Sequence, residues 1–189
     1  MVHKMFPTFV LEINDFVNKQ ERKDILKKVN QHKKELNKYE SLVGNAFTSF
    51  SKNKNFVDHL DSSIKKSLLE VARQYSQLTG FNIDENICNS WFNIQKEGSS
   101  LKKHTHPLCV FSGILYIKCE DGSFDTYFFN PNPMISFTSI KTNTEASFNW
   151  VSFKPKAGTL LLFPSWLKHG SNSIKNKCSE RVIISFNVT

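Results

Sequence analysis

A mainly β fold with helices gathered at the N-terminus is predicted by three observations. Apolar residues in the first eighty positions recur at steps of three and four, those after Gly80 recur at steps of two, and Gly and Pro punctuate the second region into short runs with no helical pattern between them. Short strands at that spacing belong to an antiparallel sandwich or barrel, a jelly roll among them. Val57, Leu60, Ile64, Leu68, Val71, Tyr75 and Leu78 form one helical stripe, with Lys65, Lys66, Glu70 and Arg73 between them and Gly80 where a helix stop belongs. Ile25, Val29, His32 and Leu36 make a second, weaker stripe. Phe9, Leu11 and Ile13 alternate as a short leading strand, and the polar residues 39–55 are expected to loop between the helices. Beyond Gly80, strands are expected over 89–94, 112–117, 126–129, 148–153, 159–163 and 182–188, with Asn89, Trp91 and Asn93 on one face of the first. The stretch from Cys88 to Thr189 accommodates eight strands of about six residues with their turns. The expected organisation is one domain, a mainly helical buttress over residues 1–80 and a β core over residues 81–189.

Composition narrows the function classes. With 39% hydrophobic and 13% aromatic residues, the 189-residue chain has the apolar content of a packed core rather than of a disordered segment. No run approaches the ~18 apolar residues of a membrane span, and the apolar run Met5–Leu11 is short and broken by Pro7, unlike a signal peptide. A soluble, unprocessed, cytoplasmic protein is the expectation. The net charge of +8 comes almost wholly from lysine. Arg22, Arg73 and Arg181 are the only arginines, and arginine is the residue that forks onto phosphate and guanine. The lysines sit at helix-surface spacing, so they read as a solvated face and no nucleic-acid partner is expected. Cys88, Cys109, Cys119 and Cys178 are far apart, without a Cys-x-x-Cys pair, and read as reduced thiols.

The chemistry-bearing residues lie in the β region. His104 and His106 are two apart, so on extended chain both rings point to one side. A metal accepting both needs a third ligand from a distant strand, and His169 follows the apolar run Thr159–Phe163 and a Pro-broken turn. His3, His32 and His59 have no such company. Arg181, at the start of the last apolar strand, is an arginine where this chain elsewhere uses lysine; a guanidinium there can hold a dicarboxylate through two parallel hydrogen bonds.

His104-Thr105-His106-Pro107, Ser112-Gly113-Ile114-Leu115-Tyr116, the segment from Gly158 through Pro164-Ser165-Trp166 to His169, and Arg181-Val182-Ile183-Ile184-Ser185-Phe186-Asn187 together resemble the 2-oxoglutarate/Fe(II)-dependent oxygenases of marine bacteria and their phages. Trp91 and Asn93 match the strand before the histidine pair, and the resemblance spans roughly residues 88 to 189. It implies a double-stranded β-helix of the jelly-roll, cupin-like kind, buttressed by two or more helices, with Fe(II) at its mouth and 2-oxoglutarate and O2 as co-substrates. A phage-encoded member would work in its host's cytoplasm. The resemblance makes His104, His106 and His169 the metal-binding and catalytic residues and Arg181 the anchor for the co-substrate's far carboxylate. Tyr116, Asn93 and, more distantly, Ser185 are its further co-substrate contacts. Phe92, Phe128, Phe163 and Trp166 are candidates for a dry wall around the metal.

The chain departs from the wider superfamily where His106 stands in place of a carboxylate, leaving the iron one negative charge short. Asp121 or Asp125 could complete the shell from outside the strand. Ile183, two after Arg181, replaces the serine of the superfamily's Arg-x-Ser pair. The leading expectation is a 2-oxoglutarate-dependent dioxygenase, most simply a hydroxylase. Two alternatives stand beside it: a three-histidine, cupin-like dioxygenase that works without the keto-acid, and a non-catalytic β-sandwich whose histidines hold Zn(II) or nothing. The primary substrate, whether small molecule or peptide side chain, is left open, with contacts expected from loops such as 130–146. Oligomeric state is left open as well.

Overall fold

The structure is a computed structural model that describes residues 1, 3, 5–142, 144 and 146–189; Asn143 and Glu145 of the 130–146 loop lie outside the described residues. Among the described residues, eleven strands and two α-helices follow in the order β1 (Leu11–Ile13), α1 (Lys19–Gln31), β2 (Leu42–Val43), β3 (Ala46–Thr48), α2 (Ser62–Thr79), β4 (Ile87–Lys96), β5 (Ser100–Leu101), β6 (Phe111–Lys118), β7 (Thr126–Phe129), β8 (Trp150–Phe153), β9 (Leu160–Pro164), β10 (His169–Gly170) and β11 (Glu180–Val188). Asn18 caps α1 through a reciprocal pair with Glu21, and Asp61 caps α2, which stops at Gly80 in the left-handed conformation.

Six strands form one antiparallel sheet in the order β1-β9-β6-β11-β4-β3. The period of two in the sequence divides its faces. Val182, Ile184, Phe186 and Val188 of β11 join Phe92, Ile94, Leu115, Leu160 and Leu162 in a core shared with Ile25 and Val29 of α1 and Ile64, Leu68, Ala72 and Tyr75 of α2. Both predicted helical stripes are therefore spent on one face of the sheet. On the other face Ile114 and Tyr116 of β6, Leu161 and Phe163 of β9 and Ile183 of β11 pack with Phe128 of β7. There the three-stranded sheet β10-β7-β8 covers the larger one, and β2 pairs with β5 as a third, two-stranded sheet.

The segment 39–55, expected to loop, supplies β2 and β3, while the start of the expected helical stripe, at Val57, forms a separate 3-10 turn at Phe56–His59 ahead of α2. These strands are two and three residues long, too short to show alternation, and they exist because β5 and β4 offer them ladder partners. The last residues of the predicted strip also differ in placement: Leu78 is exposed, and Ala72 takes the buried position on α2. Among the described residues no helix is long and apolar enough to cross a membrane.

β6 and β11 meet where Gly113 lies opposite Phe186. A Cβ at Gly113 would stand 2.1 Å from the Phe186 ring, which is buried and cannot swing away. Gly113→Ala is expected to lower unfolding stability by about 1–3 kcal/mol in urea titrations, and Phe186→Leu in the same chain should restore part of the loss.

Candidate metal centre

His104 and His169 sit directly across from each other in an isolated antiparallel bridge, each backbone N–H donating to the other's carbonyl at 3.0 Å. His106, two residues on, donates its N–H to the Ser165 carbonyl at 2.9 Å, and Ser165 donates to Val110. The segment entering β6 and the turn between β9 and β10 are thus laced together on both sides of the histidines. Ring centroids lie 4.3 Å apart for His104 and His169, 5.0 Å for His104 and His106, and 5.2 Å for His106 and His169. One nitrogen from each ring falls within 4.8 Å of the others, a grouping that could hold a metal ion.

The protonation state suits that use. His104 Nδ1 lies 2.9 Å from the Lys102 carbonyl and His169 Nδ1 2.9 Å from the Leu167 carbonyl. A carbonyl only accepts, so each Nδ1 carries the proton and each Nε2 keeps its lone pair for a metal. Burial lowers the pKa of all three rings, His106 to about 3 with help from neighbouring His104, and His169 well below the usual imidazole range. At neutral pH the site offers three uncharged donors and no bound proton to displace. No carboxylate joins them among the described residues; Asp121 and Asp125 do not line the cavity.

The rings open on a cavity of about 390 Å³. Its inner wall is polar. Asn93 donates to Ser185 Oγ at 3.2 Å, and a chain of short bonds links Asn89 to Asn187, Asn187 to Ser112 and Ser112 to Ser165. Asn93 and Ser185 therefore share the cavity with the histidines. Arg181 and Tyr116 lie behind its wall. Arg181 is 1% exposed, its guanidinium donates to Gln95 and to Thr126 Oγ1 (3.4 Å), and it lies 4.5 Å from the centre of the Phe124 ring and 5.2 Å from that of Tyr116. Its Nε has no hydrogen-bond partner, and no carboxylate pairs with it among the described residues. The Tyr116 hydroxyl shares a 2.6 Å bond with Thr126 Oγ1, and burial pushes its pKa up to about 12. Gln95 links the two layers, since it lines the cavity and also accepts from Arg181.

Two of the expected wall residues stand elsewhere. Phe92 faces the helices, because it lies one position off the face of Trp91 and Asn93, and Trp166 is half exposed at a turn tip. Phe163 lines the cavity, with its ring centre 4.7 Å from that of His169, and Phe128 backs it at 4.8 Å. Residues not anticipated include Tyr39, Glu40, Thr48 and Phe50, which come from the N-terminal half. No spacing signal marks them. Gln95 and Asn187 carried a signal, namely carboxamides at buried positions of otherwise apolar strands, and half-buried Asn89 shares their face.

The model of the family described as "Putative 2OG-Fe(II) oxygenase" matches residues 89–187, just over half of the chain. The chain belongs to this oxygenase family. Its helices and several sheets match the fold of the superfamily. A Pseudomonas putida prolyl-4-hydroxylase superposes with a TM-score of 0.66 at 12% identity, over 96% of this chain and 92% of that one. A viral collagen prolyl hydroxylase from Paramecium bursaria Chlorella virus-1, solved as a 2OG complex, gives 0.60 at 14%, over 95% and 94%. A prolyl hydroxylase from Trichoplax adhaerens, solved with a hypoxia inducible factor peptide fragment, gives 0.63 at 13%, over 95% and 83%. At such identities the likeness is one of fold. No curated protein matches the chain in sequence.

The depressed imidazoles set a pH dependence. An unfolded histidine takes up its proton near pH 6.5, whereas the folded rings do so only at lower pH, so the unfolded chain binds more protons in between. Metal-free protein should therefore lose stability as pH falls below about 6.5, continuing toward about 3 for His106. Urea midpoints measured across that range should fall less steeply in His106→Gln.

Proposed function

We propose that this protein is a non-haem iron oxygenase in which His104, His106 and His169 hold Fe(II) on one face and leave the opposite face open to the cavity. The observation that carries this reading is the convergence of three uncharged imidazole nitrogens within 4.8 Å in a chain of this family. We read the two larger sheets as the leaves of a double-stranded β-helix with the histidines at its mouth. Bound Fe(II) would supply O2 activation. The chain's own part is to hold the three rings through the 104–169 bridge, fix two tautomers with backbone carbonyls, and keep bulk water from the metal with Phe163 and Trp91.

The ligand set supports best a three-histidine dioxygenase that needs no keto-acid, because the negative ligand of the usual two-histidine, one-carboxylate set is absent from the cluster. Arg181 sits behind Gln95 and outside the cavity wall, so a keto-acid would have to displace Gln95 to reach it. A second reading, 2-oxoglutarate dependence with hydroxylation of a substrate, is favoured by a specific feature. Arg181 is a buried cation with an unbonded Nε and no acid partner among the described residues, an arrangement a carboxylate would complete. In that case Arg181 holds the far carboxylate, Tyr116 and Thr126 line its pocket, and Asn93 and Ser185 position the chelating end.

Anaerobic titration with Fe(II), then with 2-oxoglutarate, separates the readings. Either one requires about one equivalent of iron, and His169→Ala should abolish its binding, since two ligands from one strand rarely suffice; iron content measured by metal analysis checks this. Keto-acid dependence predicts a weak visible charge-transfer band, and Arg181→Met should then weaken 2-oxoglutarate binding by about 1.5–3 kcal/mol. Saturating 2-oxoglutarate with no band and no shift in melting temperature leaves the keto-acid-free dioxygenase.

A further inference from the structure

The mouth of the cavity is built by a part of the chain that contributes none of the three histidines. Pairing of β2 with β5, extended by the bond from Lys102 N–H to the Ser41 carbonyl at 2.9 Å, lays Tyr39, Glu40 and Ser41 against the strand that runs into His104. β3, paired with β4, brings Phe50 over Trp91. The rings then step inward without a gap, with centroids 5.3 Å apart for Tyr39 and Phe50, 4.8 Å for Phe50 and Trp91, and 5.7 Å for Trp91 and His106. Among the described residues lining the cavity, Glu40 is the one carboxylate, and no lysine or arginine lines it. A carboxylate is not what composition would put there, in a chain of net charge +8.

A carboxylate beside aromatic faces attracts ammonium groups and repels carboxylates and phosphates. The Lys54 ammonium lies 5.1 Å from the Phe50 ring centre, so an incoming amine would have to displace it to reach that ring. The geometry points to a primary substrate that enters as a cation, its protonated or methylated amine held by Glu40, Tyr39 and Phe50 while its carbon chain extends past Trp91 toward the histidines. This inference rests on the proposed oxygenase for its reaction, but not for its binding.

Calorimetric titration of the Fe(II)-loaded protein under argon, and of the metal-free protein, tests it with two probes that share a four-carbon side chain: N-acetyl-L-lysine methylamide, which adds the terminal ammonium, and the uncharged N-acetyl-L-norleucine methylamide. The lysine probe is expected to bind about tenfold more tightly or better, and Glu40→Gln should erase most of that preference with iron content unchanged. Equal binding of the two probes, no binding of either, or a full preference surviving in Glu40→Gln would overturn it. An amine preference in a protein that takes up no iron would leave this inference standing and the oxygenase reading fallen; iron uptake without the preference would do the reverse.

Discussion

Two backbone hydrogen bonds between His104 and His169 hold the candidate centre together. They are unusual in placing two candidate ligands opposite each other in the same ladder pair, so the separation of the rings is set by backbone geometry rather than by long side chains finding each other. Everything else in the centre is aligned from that pair. Extended chain carries His106 to the same side, the Ser165 carbonyl fixes its backbone, and β10 ties His169 to Phe128 of β7. Imidazoles oriented this way lose little freedom when a metal arrives, which is how a site with only neutral donors can remain competent.

The interior between the sheets is divided along its length. Ile114, Phe128, Leu161 and Phe163 make an ordinary apolar contact, but the neighbouring buried positions of β4 and β11 are Asn93, Gln95, Ser185 and Asn187, with half-buried Asn89 at the end of the row. Polar side chains buried to this degree stabilise a fold only when bonded to one another, and here they are: the Asn89–Asn187–Ser112–Ser165 chain reaches the very residue whose carbonyl receives His106 N–H. Mutual satisfaction keeps the inner wall ordered while leaving carboxamide and hydroxyl groups facing the cavity. Such a wall is costly as packing and useful for orienting a polar molecule.

Periodicity made most of the β region legible, because long strands that bury one face must alternate; β4, β6, β7, β9 and β11 lie within a few residues of where the pattern puts them. Both helices were legible for the same reason. The short strands β2, β3, β5 and β10 were not, since two or three residues cannot express a period and owe their conformation to a partner. In the candidate centre the His-x-His spacing and the remote His169 could be singled out, and the structure brings those three together. Arg181 and Tyr116 could be singled out as chemistry but not as depth: a period of two puts Arg181 on the cavity face, while only three-dimensional packing shows Gln95 standing between it and the cavity. Tyr39, Glu40 and Phe50 were beyond reach, because their place depends on β2 pairing with β5.

Charge is separated along this site, and that separation constrains what can bind. At depth lies an arginine with an unbonded Nε, shielded from water by Phe124, Tyr116 and Gln95. Burying a cation without an acid is expensive unless hydrogen bonds and ring faces offset it, and the two neutral oxygens of Gln95 and Thr126 do so only in part. At the mouth lies a solvent-exposed carboxylate among aromatic rings. Between them the three imidazoles contribute no charge. An anion is therefore favoured at the inner end and a cation at the outer end, so no single small ion satisfies both. The arrangement suits either one elongated molecule bearing both signs or two molecules of opposite sign meeting at the histidines.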